Sequence, residues 1–195
     1  MLMPLLRRLL LLVLLVGLAA CQKPIKLDLK GSDLTGTQVG GDFSLTDQQG
    51  KPRRLSEFQG KVVALFFGYT HCPDVCPTTL LEYANVYKKL GKDGDKLQVI
   101  FVSVDPERDT QAVLAGYVPH FNPTFVGLTG TPAQVADVMK AYKVVAQKVP
   151  TPGGGYSVDH SAGSYLLDAS GQVRVYEPYG TPVADVVHDI QQLLR

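Results

Sequence analysis

The chain carries three cysteines, no cluster of basic residues and no apolar run of membrane-spanning length. Each shortage excludes a class of protein. Small secreted domains stapled by disulfides carry several spread cysteine pairs. Here one cysteine sits at position 21 and the other two lie close together, at 72 and 76. A formal net charge of +1 without basic clusters lacks the electrostatic footprint of nucleic-acid binding, so no nucleic-acid partner is expected. The apolar stretch over residues 9–20 falls short of the roughly 20 residues a spanning helix needs. No internal repeat is present, which excludes a solenoid or an array.

That apolar stretch reads instead as a targeting signal. Arg7 and Arg8 precede the run Leu9–Val16, which gives way to small residues and then Cys21. A positive segment, an apolar segment and a processing site follow one another in the order a signal peptide requires. Leu18-Ala19-Ala20-Cys21 matches the lipobox of bacterial lipoproteins, in which the cysteine is lipidated and becomes the first mature residue. Simple secretory cleavage after Ala20 is the alternative, and it leaves Cys21 as an odd thiol in an oxidising compartment. We therefore expect a lipoprotein signal peptide over residues 1–20, lipidation at Cys21 and a polar tether over 21–36. The lipid anchor would hold the domain, residues 37–195, on the extracytoplasmic (periplasmic) face of a bacterial membrane. Without the two signal arginines, the rest of the chain is formally −1.

Past residue 36 the chain suits a single core. The pattern predicts a hairpin with arms Phe43–Thr46 and Arg53–Leu55 around a turn at Asp47–Gly50. VVALFFGY (Val62–Tyr69) and LQVIFVSV (Leu97–Val104) are continuous apolar runs, as in strands covered on both faces. Between them a helix from Thr78 to Leu90 follows Pro77, which suits a first helical position. Further helices are signalled by Asp109 as the cap of Thr110–Val118, by Thr131-Pro132 and by Thr181-Pro182. Shorter strands fit Thr124–Leu128, Val144–Val149, Gly163–Leu167 and Val173–Tyr176, the last two joined by a turn at Asp168–Gly171. Alternating strands and helices that close on an antiparallel pair and a terminal helix predict an α/β three-layer sandwich with a mixed sheet. The order is compatible with a thioredoxin-like core that carries an N-terminal hairpin extension and an inserted helix.

Cys72 and Cys76 lie where a buried strand passes into a helix, the end of an open α/β sheet at which sites form. A helix N-terminus favours an anion and with it the thiolate, which is both nucleophile and metal ligand. If the turn is helical, residues four apart project to one side with Cβ atoms roughly 5–6 Å apart. Two thiolates there can share a metal ion or, after a small adjustment, close a disulfide. A purely structural disulfide would close a tiny loop and stabilise little. Thioredoxin-type reductases use C-x-x-C, and the extra residue here departs from that spacing.

The segment Gly68-Tyr-Thr-His71-Cys72-Pro-Asp-Val-Cys76-Pro77-Thr-Thr-Leu80 resembles the copper-binding motif of the Sco (SenC) family, chaperones that help assemble the dinuclear copper A centre of cytochrome c oxidase. Ser103–Thr110 (SVDPERDT), Val126–Gly130 (VGLTG) and Val158–Ser161 (VDHS) agree in the same order, and the likeness runs from about Gly41 to Arg195. The resemblance implies a thioredoxin-like fold with Cys72, Cys76 and His160 as ligands of one copper ion per chain. It further implies the copper A subunit of the oxidase as partner, with another periplasmic copper chaperone or a thioredoxin-like reductant as a further one. Two thiolates and one imidazole suit Cu(I), for which three donors are enough, and would take Cu(II) with an added water or oxygen ligand.

His160 gains weight from its surroundings. In many thioredoxin relatives the loop that enters the corresponding strand carries a cis-proline that receives substrate chains, and Val158–Ser164 (VDHSAGS) has no proline. The glycine stretch at 153–155 is expected to let His160 swing in on metal binding and out for transfer. Of the other histidines, His71 is too constrained beside Cys72 to chelate with it, and His120 and His188 read as surface or packing residues. Asp74 and Asp159 are either ligand-orienting or solvated. Asp105, Glu107, Arg108 and Asp109 read as a strand-to-helix loop, or else as a docking patch. The competing activity is a thiol–disulfide oxidoreductase acting through the Cys72–Cys76 pair on the oxidase subunit or another extracytoplasmic target. A peroxidase using Thr70 beside the thiolate fits the spacing poorly, and a purely structural lipoprotein module comes last.

Overall fold

A computed structural model describes residues 27–195; the expected signal peptide and Cys21 lie outside the described residues. The elements are β1 (Ser32–Asp33), β2 (Ser44–Asp47), β3 (Pro52–Arg54), β4 (Val62–Gly68), α1 (Val75–Leu90), β5 (Leu97–Ser103) and α2 (Gln111–Tyr117). They continue with β6 (Val126–Thr129), α3 (Pro132–Ala141), β7 (Ala146–Thr151), β8 (Gly155–His160), β9 (Ser164–Leu167), β10 (Val173–Glu177) and α4 (Val183–Leu193). Eight strands form one sheet in the order β1-β10-β9-β4-β5-β6-β2-β3, and β7 and β8 pair only with each other.

The two continuous apolar runs become the central strands. Every residue of β4 and β5 is buried, and the pair is parallel in register from Val62↔Leu97 to Gly68↔Ser103. β9 joins β4 antiparallel and β6 joins β5 parallel, which gives the expected mixed sheet. Strand periodicity then sorts the two phenylalanines of β4. Phe66 neighbours Phe101 and His160, while Phe67 packs on Tyr142 and Tyr165. The Phe66 side is the one that matters for chemistry.

Four local expectations are corrected. α1 begins at Val75, three residues before Thr78, so Cys76 is already helical and Pro77 sits in the first turn, where no N–H is needed. α2 is capped by Thr110, whose side chain accepts from the Val113 amide, and Asp109 turns inward instead. α4 has Pro182, not Thr181, at its N-cap. The glycine stretch is the tight turn of a hairpin: Gly153 and Gly154 take φ of +96° and +93°, a backbone that favours glycine. His160 therefore lies on a strand, paired with Ala146, and any swing of the imidazole involves the hairpin and not a loose loop.

The last part of the expected tether is also folded. Ser32 and Asp33 pair with β10, and the buried Asp189 carboxylate accepts the Lys30 amide at 2.8 Å and the Gly31 amide at 2.8 Å. Glu177 is buried nearby, and neither of its carboxyl oxygens has a hydrogen-bond partner among the described residues. Burial first, and the neighbouring Asp189 charge second, push its carboxyl up from 4.5 to about 8. The folded protein then holds a proton that the unfolded chain gives up, so this group's contribution is lost as pH rises from about 4.5 to about 8. Glu177→Gln is expected to raise stability at pH 9 by ~1 kcal/mol or more and to change it little at pH 4. Urea unfolding at both pH values checks this, and an unchanged difference between them would contradict it.

Candidate metal centre

The end of β4 delivers the site. Gly68 is followed by the loop Tyr69–Asp74, which carries Cys72, and by the first turn of α1, which carries Cys76. Cys76 is fully buried, whereas Cys72 is half-buried, and both are free thiols. The Cys76 amide approaches Cys72 Sγ at 3.4 Å, so the sulfur accepts one of the unpaired N–H groups of the helix start. The dipole is thus aimed at Cys72. For Cys76 burial outweighs it and pushes the thiol well above its usual value, with Cys72 and Asp109 adding in the same direction. The expected easy thiolate does not extend to Cys76.

Room for that sulfur comes from an absent side chain. A Cβ at Gly68 would stand 2.8 Å from Cys76 Sγ and 2.8 Å from the Phe101 ring. Gly68→Ala therefore has to displace one of them. We expect a loss of ~1–3 kcal/mol of stability together with weaker metal binding, read by chemical unfolding and by metal titration on the same sample.

His160 reaches the cysteines from the far end of β8. Its Nε2 lies 3.4 Å from Cys76 Sγ, and its Nδ1 lies 2.9 Å from the Ser161 carbonyl oxygen. A carbonyl only accepts, so Nδ1 carries the proton and the Nε2 lone pair faces the cysteines. The ring stands edge-on to Tyr69, with centroids 5.8 Å apart at 89°, and 6.3 Å from Phe66. Among the described residues, Cys72, Cys76 and His160 are the one cluster of three potential metal ligands, and their donor atoms all lie within 4.8 Å of one another. An open groove lined by Tyr69, Pro73, Val75, Ser157 and Ala162 gives access to Cys72 and His160.

The remaining candidates separate cleanly. His71 is exposed and turns toward Thr70 and Asp109, His120 is exposed, and His188 pairs with Asp189. Asp74 and Asp159 are exposed on the groove rim. Asp109 has a role that its sequence neighbourhood disguised. Fully buried, it accepts the Thr70 amide at 3.0 Å, the Thr70 hydroxyl at 2.6 Å and the Ser103 hydroxyl at 2.6 Å, and so pins the cysteine loop to the end of β5. Thr70 is thereby engaged in structure.

The family model described as SCO1/SenC matches residues 32–195. The chain belongs to the SCO1/SenC family. Among solved structures, ScoI of Bradyrhizobium japonicum with copper bound is 46% identical, covers 80% of this chain and 99% of its own, and superposes with a TM-score of 0.74. Apo Sco1 of Thermus thermophilus is 42% identical over 87% of this chain and 99% of its own, with a TM-score of 0.76. The mouse protein named SCO2 homolog, mitochondrial, is 40% identical over 155 residues, 78% of this chain and 61% of its own length. This chain thus spans about three fifths of that relative. The fold is thioredoxin-like, and the cysteine loop occupies the strand-to-helix junction that the sequence indicated.

Proposed function

We propose that this SCO1/SenC chain binds one copper ion through Cys72, Cys76 and His160 and delivers it to the copper A subunit of cytochrome c oxidase by ligand exchange. The observation that carries the reading is the convergence of two sulfurs and a lone-pair-bearing Nε2 within 4.8 Å. The donor chemistry fits: two soft sulfurs and an imidazole favour Cu(I), which three donors satisfy, over structural zinc, which takes four. The Bradyrhizobium japonicum relative was solved with copper bound, which supports the reading. The open groove beside Cys72 and His160 would let ligands of a recipient replace these donors one at a time. The lipobox ending at Cys21 supports a lipid anchor on the extracytoplasmic side of a bacterial membrane. Among the described residues no helix is long and apolar enough to cross a membrane.

The unequal burial of the two cysteines favours a second reading, a thiol–disulfide oxidoreductase. The Cys72 thiolate would attack a target disulfide and form a mixed disulfide; Cys76 would then displace the target. A Cys72–Cys76 disulfide and two target thiols result, two electrons having passed to the target. Anaerobic Cu(I) titration of the reduced protein and of Cys72→Ser, Cys76→Ser and His160→Ala separates the readings. One-to-one tight binding weakened in all three variants supports the copper carrier. Binding that persists in His160→Ala at unaltered strength, together with efficient disulfide reduction, gives priority to the oxidoreductase.

A further inference from the structure

The hairpin that carries His160 has little of its own to hold it. β7 and β8 pair only with each other, and Val158 is their only buried side chain. An isolated two-stranded hairpin is marginal in water. At its base, the Ser161 amide and hydroxyl engage the Val145 backbone. Further out, one cluster of side chains fastens it to the loop after β5, and Arg108 is the hub of that cluster.

The Arg108 guanidinium pairs with the fully buried side chain of Asp105 and donates from Nη1 to the Tyr156 backbone carbonyl at 2.8 Å. It lies 3.7 Å from the centroid of the Tyr156 ring and 5.7 Å from that of Tyr69. The Tyr156 hydroxyl closes the circuit by donating to Asp105 at 2.9 Å, and Lys148 of β7 pairs with Glu107 at 2.7 Å. Tyr69, capped by Arg108 on one side, meets the edge of the His160 ring on another. One cation therefore steadies both the strand that bears the imidazole and the aromatic wall beside it. Arg108 Nη2 is buried without a partner among the described residues, so the clamp falls short of its full hydrogen bonding and is suited to opening.

We propose that Arg108 is a positioning residue of the metal centre: it clamps the hairpin and Tyr69 so that His160 Nε2 stays over the cysteine pair, and its release frees the imidazole when copper leaves. Arg108 touches none of the donor atoms. It acts through Tyr156 and Tyr69, and the inference rests on the copper reading above.

The test compares the unaltered protein with Arg108→Met, Arg108→Lys and Tyr156→Phe. Four readouts are taken: amide hydrogen exchange of residues 155–161 without metal, the rate of Cu(I) removal by a chelator, and the paramagnetic resonance and optical absorption spectra of the Cu(II) form. Arg108→Met is expected to speed exchange in the hairpin, to speed copper removal roughly 10-fold or more, and to weaken the nitrogen coupling of His160 while thiolate-to-copper absorption stays. Arg108→Lys keeps the cation but loses the planar fork, and should restore part of each. Tyr156→Phe removes one hydrogen bond and should shift each readout less, in the same direction. Hairpin exchange, removal rate and nitrogen coupling equal to those of the unaltered protein would overturn the proposal. Should Arg108→Met fail to fold, Tyr156→Phe decides on the same criteria. Retained copper binding in Cys72→Ser would instead sink the copper reading and leave the exchange result to judge the clamp.

Discussion

Cys76→Ser is expected to lower Cu(I) affinity by more than the roughly 10–100-fold that loss of an outer-shell partner costs. The substitution removes the buried sulfur that lies 3.4 Å from His160 Nε2 and within 4.8 Å of Cys72 Sγ, while the backbone amide that approaches Cys72 Sγ stays. A serine oxygen there is hard, buried and reluctant to ionise, whereas Cu(I) selects soft sulfur. The folded protein should survive the change, since the pocket left by Gly68 accepts the smaller oxygen. The raised Cys76 thiol adds a pH signature. Copper must displace a proton that burial helps to retain, so affinity in the unaltered protein should climb as pH rises through neutrality. Competition with a Cu(I) chelator at several pH values measures both effects, and a flat profile would count against a protonated Cys76.

Asp109→Ala should be the most damaging change outside the three donors. One fully buried carboxylate satisfies the Thr70 amide, the Thr70 hydroxyl and the Ser103 hydroxyl. Removing it leaves the buried Ser103 hydroxyl and the half-buried Thr70 amide and hydroxyl without their acceptor and opens a cavity between the cysteine loop and β5. We expect ~3–5 kcal/mol of lost stability and a loosened Cys72 with weaker copper binding. Asp109→Asn should be far milder, because its carbonyl still accepts and the Thr70 hydroxyl can turn to accept from the new amide. Urea denaturation of the two variants side by side tests the argument. Equal losses would mean that charge, and not hydrogen-bond satisfaction, is what Asp109 supplies.

How much of this was legible in the sequence depended on the range of the interactions. β4 and β5 announce themselves because a strand covered on both faces must be apolar at every position, and the cysteine junction follows from where β4 ends. The β2–β3 hairpin and the β9–β10 turn rest on local glycine and aspartate chemistry, and both were visible. β8 was not. Val158 is its one buried side chain among exposed and half-buried neighbours, so no apolar run marks it, and the glycines before it read as a loop. Asp109 resembles a cap because it stands just before a helix, while its true partners lie across the fold at Thr70 and Ser103. The Arg108 contacts with Tyr156 span 48 positions, beyond the reach of any local rule. For the Cys76 thiol the sequence shows the helix dipole, a property of position, whereas its burial is a property of packing and is the stronger influence. His160 became a candidate only through the family likeness and the missing proline; the structure brings its Nε2 to the cysteines.

The most direct test of the site is X-ray absorption at the copper edge of the reduced, copper-loaded protein, with His160→Ala measured alongside. Two sulfur scatterers and one nitrogen scatterer per copper are expected in the unaltered protein, with the nitrogen gone in the variant. A shell of sulfur alone in the unaltered protein, or a nitrogen shell that persists in His160→Ala, would contradict this expectation.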